Sequence, residues 1–390
     1  MISDLTNIKG IEDLLTLISE NGINNLSPAI EVLLNESMKI ERENAVQAGN
    51  YERSSDRKGQ CNGYKNRNFN SRLGTLRIKI PQVRNMSFYP KSLEKGERSE
   101  KALKLAVAEM YVQGVSTRKV AEITEELCGV DISSTQVSRC SQLLDESLKV
   151  FRERPLEEEY PYIYVDAIYE KIRHCHTVKS MATLFAIGVN KEGKREILGI
   201  SAKLSEAEVH WRDFFKGLQK RGLSGLKLVI SDAHEGLCAA RRAVFPSVDW
   251  QRCQFHIAQN AQSYAPKKSM KLEIADAVRR IFNSSSIERA REEKNFVIDE
   301  FTHTAPEFVR WVDENIEDGF TCFKYPKKHQ KRIRTSNVIE RQNREIRRRT
   351  RVVSIFPNVA SAERLITALL QDVHEDWISG KRYLDMDLEK

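Results

Sequence analysis

The stretch Tyr162-Ile-Tyr-Val-Asp-Ala-Ile168 decides how the rest of the chain is assigned, because it is rich in β-forming residues and contains the carboxylate of Asp166. Two more runs of this kind follow at 181–189 and 195–201, and the turn Asn190-Lys-Glu-Gly193 separates them. Runs of β-forming residues joined by short turns predict neighbouring antiparallel strands. We therefore expect a three-stranded meander that begins with the first run.

An alternation of helices and strands follows the predicted meander. Ser205 fits the N-cap of a helix that ends at Gly222. The apolar run Leu226-Lys-Leu-Val-Ile-Ser-Asp232 then predicts a buried strand, and a helix over 234–244 leads to a fifth strand at 248–253. Three strands, helix, strand, helix and strand is the order of a ribonuclease-H-like α/β core.

A helix-rich segment separates the fifth strand from the end of this core. No acid-bearing helix is expected directly after that strand, and the polar residues 257–334 predict an α-helical insertion. The core resumes with a helix in 335–351 and ends with an apolar helix at 359–378. The predicted core is therefore divided into a first part, 153–256, and a closing part, 335–390.

Three acids fall where this order of elements brings side chains together. Asp166 lies within the first strand, Asp232 ends the fourth strand and Glu340 lies on the closing helix. Carboxylates are natural ligands of Mg²⁺, and two such ions about 3.5–4 Å apart assist in-line cleavage of a phosphodiester. The pattern thus predicts a two-metal Mg²⁺ site formed by these acids, in which Mn²⁺ is expected to substitute.

Positive charge is concentrated in two stretches of a chain whose formal net charge is +8. Residues 324–351 contain twelve Lys and Arg against two Glu, and residues 51–104 contain fourteen against five acids. Two separate cationic patches favour contact with nucleic acid. A membrane surface fits less well, since neither stretch alternates with a broad apolar face. On the closing helix, Arg344, Arg347 and Arg348 are expected to contact DNA phosphates.

The N-terminal part predicts a DNA-binding region. Residues 1–100 are helical and basic, and residues 101–152 show short helices separated by glycine, as in a helix-turn-helix. Such motifs place the start of their second helix in the major groove, where side chains reach base edges. The candidate contacts on that helix are Ser134, Thr135, Gln136 and Arg139. A plain three-helix bundle is the alternative.

The cysteine pattern bears on the compartment. The seven cysteines are scattered, odd in number and without a Cys-x-x-Cys pair, which favours reduced thiols. The N-terminus shows no secretory signal pattern, and no apolar run approaches the length of a membrane span. We therefore expect a cytoplasmic protein with no membrane partner.

Several longer runs occur in an order that is typical of one family. In the predicted core they are Val165-Asp-Ala-Ile-Tyr-Glu-Lys-Ile-Arg173, Gly188-Val-Asn-Lys-Glu-Gly-Lys-Arg-Glu-Ile-Leu-Gly199, Ser231-Asp-Ala-His-Glu-Gly-Leu237, Trp250-Gln-Arg-Cys-Gln-Phe-His256 and Thr335-Ser-Asn-Val-Ile-Glu-Arg341. Upstream runs are Asn62-Gly-Tyr-Lys-Asn-Arg67, Val115-Ser-Thr-Arg-Lys-Val120 and Phe151-Arg-Glu-Arg-Pro-Leu156. Together they closely resemble the Mutator-type family of prokaryotic insertion-sequence transposases.

The resemblance implies a DDE transposase that cleaves DNA and transfers strands without a covalent protein–DNA intermediate. The family's three catalytic acids correspond to Asp166, Asp232 and Glu340. Arg347 matches a basic position on the same helix, and Lys65 and Arg67 lie in a run similar to the family's basic N-terminal segment.

The expected partners follow from the same resemblance. They are double-stranded DNA, both the terminal inverted repeats of the element and the target, and further copies of the chain in a homodimer or larger synaptic complex. The expected location is the nucleoid of a prokaryotic cytoplasm.

Four residues near the acids are expected to support the site. Cys253 and His256 match the family's Cys/Asp-x-x-His signature, and Asn343 shares the helical face of Glu340. A zinc site at the Cys-x-x-His pair is the alternative, but two ligands are too few for it. Trp250 fits packing at the sheet edge, with stacking against DNA as the other reading.

Two rival functions stay open at this point. One is a non-catalytic helix-turn-helix regulator, which the retention of all three acids disfavours. The other is a ribonuclease-H-like nuclease that cuts DNA without joining it. Binding, cleavage and joining of labelled terminal repeats would distinguish the three.

Overall fold

The computed structural model describes residues 11–22 and 25–387. The chain divides into two compact units between Leu144 and Asp145. The first ten residues of the helical N-terminus expected from the sequence, and the last three of the C-terminal tail, lie outside the described residues.

The first unit combines helices with one β-hairpin. Its elements are α1 (Ile11–Asn21), α2 (Ser27–Val46), β1 (Gln60–Ser71), β2 (Gly74–Arg84), α3 (Lys101–Val112), α4 (Thr117–Cys128) and α5 (Ser134–Ser141). Strand β2 turns Leu76, Ile78 and Ile80 inward, where they pack with Met38 of α2. The sequence indicates β2 but not its antiparallel partner β1, because most side chains of β1 are exposed and polar. Main-chain hydrogen bonds to β2 hold β1 in place.

Helices α3, α4 and α5 form a small cluster. Ser116 caps α4 by accepting a hydrogen bond from the backbone N–H of Lys119, and Gly129 ends that helix in the left-handed conformation. Ser133 and Gln136 form a capping box at the start of α5. The shared core consists of the buried side chains of Leu103, Val107, Val120, Val130, Ile132 and Val137. The helix starts expected near residues 117 and 133 match the structure.

The second unit is built on a five-stranded sheet. Its first elements are α6 (Asp145–Glu153), β3 (Tyr162–His174), β4 (Thr177–Val189), β5 (Arg195–Lys203), α7 (Glu208–Lys220), β6 (Leu228–Ser231), α8 (Glu235–Val244) and β7 (Asp249–Arg252). Strands β3, β4 and β5 form an antiparallel meander, and β6 and β7 continue the sheet in parallel beside β3. The fold is therefore mixed α/β, with strands and helices in the order predicted from the sequence.

The start of α7 differs from the prediction. Its N-cap is Ala207, not Ser205, and no side chain caps the helix. Glu206 is buried just before it, and its carboxylate accepts a hydrogen bond from the hydroxyl of Tyr169 at 2.6 Å. We attribute the later start to this contact, because it draws Glu206 against β3 instead of into the first turn of the helix.

A helical segment lies between β7 and the closing helices. The remaining elements are α9 (Gln254–Ala261), α10 (Lys271–Phe282), α11 (Ile287–Phe301), α12 (Pro306–Asn315), α13 (Lys327–Ile333), α14 (Asn337–Thr350) and α15 (Val359–Ser379). Helices α9 to α12 have a core of their own, with Val278, Phe301 and Phe308 buried in it. The sequence predicts no acid-bearing helix directly after the fifth strand. A helix, α9, does begin there at Gln254, but it carries no acid. The backbone N–H of Gln254 bonds to the carbonyl of Arg334 at 3.0 Å, so the two ends of the segment lie together.

Helices cover both faces of the sheet. On one face, α7 and α8 contribute Trp211, Phe215 and Leu237 to a core that includes Val165 of β3. On the other face, the core is lined by apolar residues of α14 and α15, namely Ile339, Ile346, Ile366 and Leu370. The packing of α14 against the sheet places Asn343 of its polar face beside Asp166 of β3. Among the described residues, no helix has the length and apolar character needed to cross a membrane.

Candidate active site

Asp166 is held at both carboxylate oxygens. It lies in the middle of β3, between the buried Val165 and Ile168. Its Oδ1 accepts a hydrogen bond from the backbone N–H of Ala167 at 2.8 Å, and its Oδ2 accepts one from Nδ2 of Asn343 at 2.9 Å. The second bond connects the sheet to α14.

Asp232 lies beside Asp166 because of the strand register. Tyr164 of β3 pairs with Ile230 of the parallel β6, so both aspartates stand two residues beyond the same pair. The carboxylate of Asp232 accepts a hydrogen bond from the backbone N–H of His234 at 3.1 Å. Burial raises the pKa of Asp166 to about 7, and the negative charge of Asp232 contributes in the same direction. Two carboxylates are thus held close enough for the charge of one to act on the other.

Glu340 reaches the site from the first turn of α14. It precedes Asn343 by three residues, so the two share the face that meets Asp166. Its Oε1 lies 3.4 Å from Oγ of Ser336, which donates a hydrogen bond, and 4.0 Å from Nε2 of His256. The structure therefore brings the closing helix and both aspartates to one place. Beside the larger effect of Cys253, the charges of Asp232 and Glu340 raise the pKa of His256. The charge of His256 in turn acts against the burial that raises the pKa of Asp166.

Cys253 and His256 flank Glu340. Ligand atoms of Cys253, His256 and Glu340 lie within 4.8 Å of one another, a spacing at which three such groups can hold a metal ion. Sγ of Cys253 accepts a hydrogen bond from the backbone N–H of Ser336, directly before α14, at 3.3 Å. The neighbouring Cys253 raises the pKa of His256 to about 9 against the opposing effect of burial. Burial alone would raise the pKa of Cys253, but His256 lowers it overall.

The sequence did not point to a second group of polar residues beside Asp232. Glu206 is buried, accepts a hydrogen bond from Tyr169 and lies 3.7 Å from Nε2 of His234. Burial raises the pKa of Glu206, the bond from Tyr169 opposes this, and the charge of Asp232 raises it further. An acid next to a predicted helix start is ordinarily a first-turn residue, so no sequence signal singles Glu206 out.

Trp250 supports the end of β6. Its Nε1 donates a hydrogen bond to Oγ of Ser231 at 2.9 Å, and Ser231 directly precedes Asp232. The guanidinium of Arg241 lies over the indole ring at 5.5 Å from its centroid. These contacts give the ring a packing role at this edge of the sheet.

The arginines predicted to contact DNA are exposed on α14. Arg344, Arg347 and Arg348 all face solvent. Arg348 forms an ion pair with Glu345 at 2.6 Å. The positive charge of Arg347 lowers the pKa of Glu170, whereas burial, the larger effect, raises it.

The other predicted DNA contacts lie in the first unit. Ser134, Thr135 and Arg139 are exposed on α5. Gln136 is also exposed, but its side-chain oxygen accepts a hydrogen bond from the backbone N–H of Ser133, so this atom is already used. On β1, Lys65 is exposed, and Arg67 donates a hydrogen bond to the hydroxyl of Tyr89 at 3.1 Å.

Comparisons with known proteins give full-length matches. The transposase of insertion sequence IS406 from Burkholderia multivorans is 45% identical over 370 residues, which cover 94% of this chain and 95% of that protein. The transposase of ISRM5 from Rhizobium meliloti is 40% identical, with coverage of 93% and 91%. The transposase of IS256 in transposon Tn4001 from Staphylococcus aureus is 42% identical, with coverage of 92% of each chain.

A solved structure and a family model were also matched. The Drosophila P element transposase strand transfer complex aligns with a TM-score of 0.41 at 8% identity, over 70% of this chain and 91% of that one. The model described as transposase, Mutator family, matches residues 6–380. With that match and relatives above 40% identity, the resemblance seen in the sequence is confirmed: the chain belongs to the Mutator family of transposases.

Proposed function

We propose that this chain is the DNA transposase of an insertion sequence, which cuts DNA and transfers strands with the help of divalent cations. The observation that carries the proposal is the family match over residues 6–380, which includes every element that bears the three acids. The sheet order and the helices inserted between β7 and α14 support a ribonuclease-H-like core.

Asp166, Asp232 and Glu340 are the residues we propose as ligands of the cations. Burial and the nearby charge of Asp232 both raise the pKa of Asp166, so the pair of aspartates suits a position for added positive charge. All three donors are carboxylates, which suit Mg²⁺ and Mn²⁺. When bound, two such ions would stabilise charge on the attacking and leaving oxygens of a phosphodiester.

The chain's own residues position the reacting groups. Asn343 orients Asp166, and Ser336 and His256 face Glu340. Water adds to the phosphorus at the end of the element, and the bond to the 3′ oxygen breaks to leave a 3′-OH. That hydroxyl then attacks a second phosphodiester and displaces its 3′ oxygen. Atoms balance in both steps without a protein nucleophile, so no Ser or Tyr is assigned that part.

Cys253 and His256 support this site by holding the start of α14. The thiol of Cys253 accepts the N–H of Ser336, four residues before Glu340, and His256 fills the space between Cys253 and the carboxylate. A zinc ion here would need Glu340 as its third protein ligand. Because that carboxylate is assigned to the catalytic cations, we favour a positioning role. Trp250 acts in the same way on Asp232 through Ser231.

DNA contacts are proposed for both units. In the second unit, Arg344, Arg347 and Arg348 contact phosphates near the acids. In the first unit, the helix-turn-helix formed by α3 to α5 and the basic hairpin bind the terminal inverted repeats. The candidate residues there are Ser134, Thr135, Gln136, Arg139, Lys65 and Arg67. A homodimer or larger complex would bring two DNA ends together, at the nucleoid of a prokaryotic cytoplasm.

The test uses labelled duplexes that carry the DNA flanking the coding region, incubated with Mg²⁺. We expect binding, cleavage and joined products from the wild type, and binding without cleavage from Asp166→Asn. The matched control is Asp213→Asn, at an exposed aspartate on α7. Binding without cleavage by the wild type would favour a regulator, and cleavage without joining a nuclease. Either result would overturn the proposal.

A further inference from the structure

A second basic feature lies on α14, beside the face that carries the acids. It is an open groove of about 640 Å³ between α14, α15 and the start of β5. Its basic lining consists of Arg195, Arg341, Arg344 and Arg348. We call this feature the arginine groove. Arg195 and Arg341 have no part in the function proposed above.

Arg195 is held in the arginine groove by two aromatic rings. Its guanidinium lies 4.2 Å from the ring centroid of Trp377 and 4.7 Å from that of Tyr383. Stacking of this kind fixes the plane of a guanidinium while leaving its N–H groups available. Burial lowers the pKa of Arg195, and repulsion from Arg341 and Arg332 acts in the same direction. Arg195 is therefore a cation with a fixed orientation that lies close to other cations.

Most of this positive charge is not neutralised by the protein. In the part of the chain that the structure describes, no carboxylate forms an ion pair with Arg195, Arg341 or Arg344. Two acids also line the groove: Glu345, which is paired with Arg348, and Asp376. Four arginines against two acids leave an excess that a bound anion would balance.

The position of the arginine groove on α14 relates it to the acids. Arg341, Arg344 and Arg348 are three and four residues apart and share one face. Arg341 directly follows Glu340, and Arg344 directly follows Asn343. Successive residues of an α-helix are rotated by about 100°, so the two faces differ by that angle. The face of Glu340 and the face of the arginines thus lie next to each other around α14. A polyanion bound at the acids would pass across the arginines.

We propose that the arginine groove binds the sugar–phosphate backbone of the DNA segment adjoining the reacting phosphodiester. The inference rests on the function proposed above and assigns Arg195 and Arg341 to it. Guanidinium forks match the geometry of phosphate oxygens, and arginine is a common donor to phosphates in protein–DNA complexes. The rings of Trp377 and Tyr383 are covered by Arg195, so base stacking on them is disfavoured.

The test measures the affinity of a duplex with the element's end at several salt concentrations, in buffer with EDTA. The test variant is Arg195→Gln/Arg341→Gln. The control is Arg289→Gln/Arg310→Gln, at exposed arginines of α11 and α12 paired with glutamates. Each lost phosphate contact lowers the slope of log K against log salt by about 0.9. We therefore expect a slope about 1.8 smaller for the test variant and unchanged for the control.

A second measurement replaces the phosphates beside the cleavage point with uncharged methylphosphonates. Wild type should lose affinity for this duplex, and the test variant should lose much less, because its contacts are already gone. If the double variant fails to fold, the exposed Arg341→Gln alone should lower the slope by about 0.9. If the wild type cleaves and joins DNA but the variants show unchanged slopes, only the DNA-binding role of the arginine groove would be overturned. A wild type that does not cleave would instead refute the proposed function.

Discussion

Replacing Asn343 with Ala tests whether α14 positions Asp166 for catalysis. Nδ2 of Asn343 donates to Asp166 at 2.9 Å, and hydrogen bonds to charged groups contribute about 1.5–3 kcal/mol. Among the described residues, the amide oxygen of Asn343 is buried and finds no hydrogen-bond donor. An unmet buried acceptor costs about 1–3 kcal/mol. The two effects oppose each other, so Asn343→Ala should change the free energy of unfolding by no more than about 2 kcal/mol.

The cleavage rate should respond more strongly than the free energy of unfolding. If the lost bond is needed in the transition state, a loss of about 1.5–3 kcal/mol lowers the cleavage rate about 10- to 150-fold. The assay is single-turnover cleavage of a labelled DNA end with Mg²⁺, together with thermal unfolding. Asn295→Ala, at an exposed asparagine of α11, is the control. An unchanged rate, or a fall in Tm of more than about 8 °C, would refute the reasoning, because 1 kcal/mol corresponds to about 2–4 °C in a unit of this size.

Two other predictions concern Cys253 and His374. Cys253→Ala should raise about fivefold the Mg²⁺ concentration needed for half-maximal cleavage, since the N–H of Ser336 loses a bond worth about 1 kcal/mol. Cys253→Ser retains an acceptor, so its half-maximal Mg²⁺ concentration should lie close to that of the wild type. Equal defects in both variants would contradict a positioning role. Burial lowers the pKa of His374 to about 4, so its contribution to stability is complete above pH 6.5 and is lost as pH falls towards 4. The loss amounts to about 3 kcal/mol, and Tm measured across this range should fall more steeply in the wild type than in His374→Gln. Parallel curves would show that His374 has no such effect.

The strands of the second unit could be predicted because burial on both faces leaves a strong pattern. Leu228, Val229 and Ile230 of β6 are fully buried, and so is most of β4. Strand β1 escaped prediction for the opposite reason. The side chains of β1 are polar and its pairing depends on the backbone, which carries no sequence signal. Helix α9, with eight residues, lies at the start of the predicted helical insertion and begins three residues earlier than its predicted bound.

The elements that carry the three acids could be predicted from the sequence, but the contacts around these acids could not. Asp166 and Asp232 follow from the expected strand order, because parallel neighbours place equivalent positions side by side. The bond between Asp166 and Asn343 joins residues 177 positions apart and depends on how α14 packs. Glu206 was missed because its burial against Tyr169 is a tertiary effect that no local pattern records.

The joined ends of the inserted helices have a consequence for how this enzyme family can vary. Gln254 and Arg334 are bonded through their backbones, and Cys253 accepts the N–H of Ser336. The chain therefore leaves the sheet-bearing core and returns to it through two segments that are bonded to each other. Helices α9 to α12 between them have their own hydrophobic core. With its ends joined in this way, the segment can vary independently of the core. A relative with a longer or shorter segment can therefore keep its three acids in the same positions.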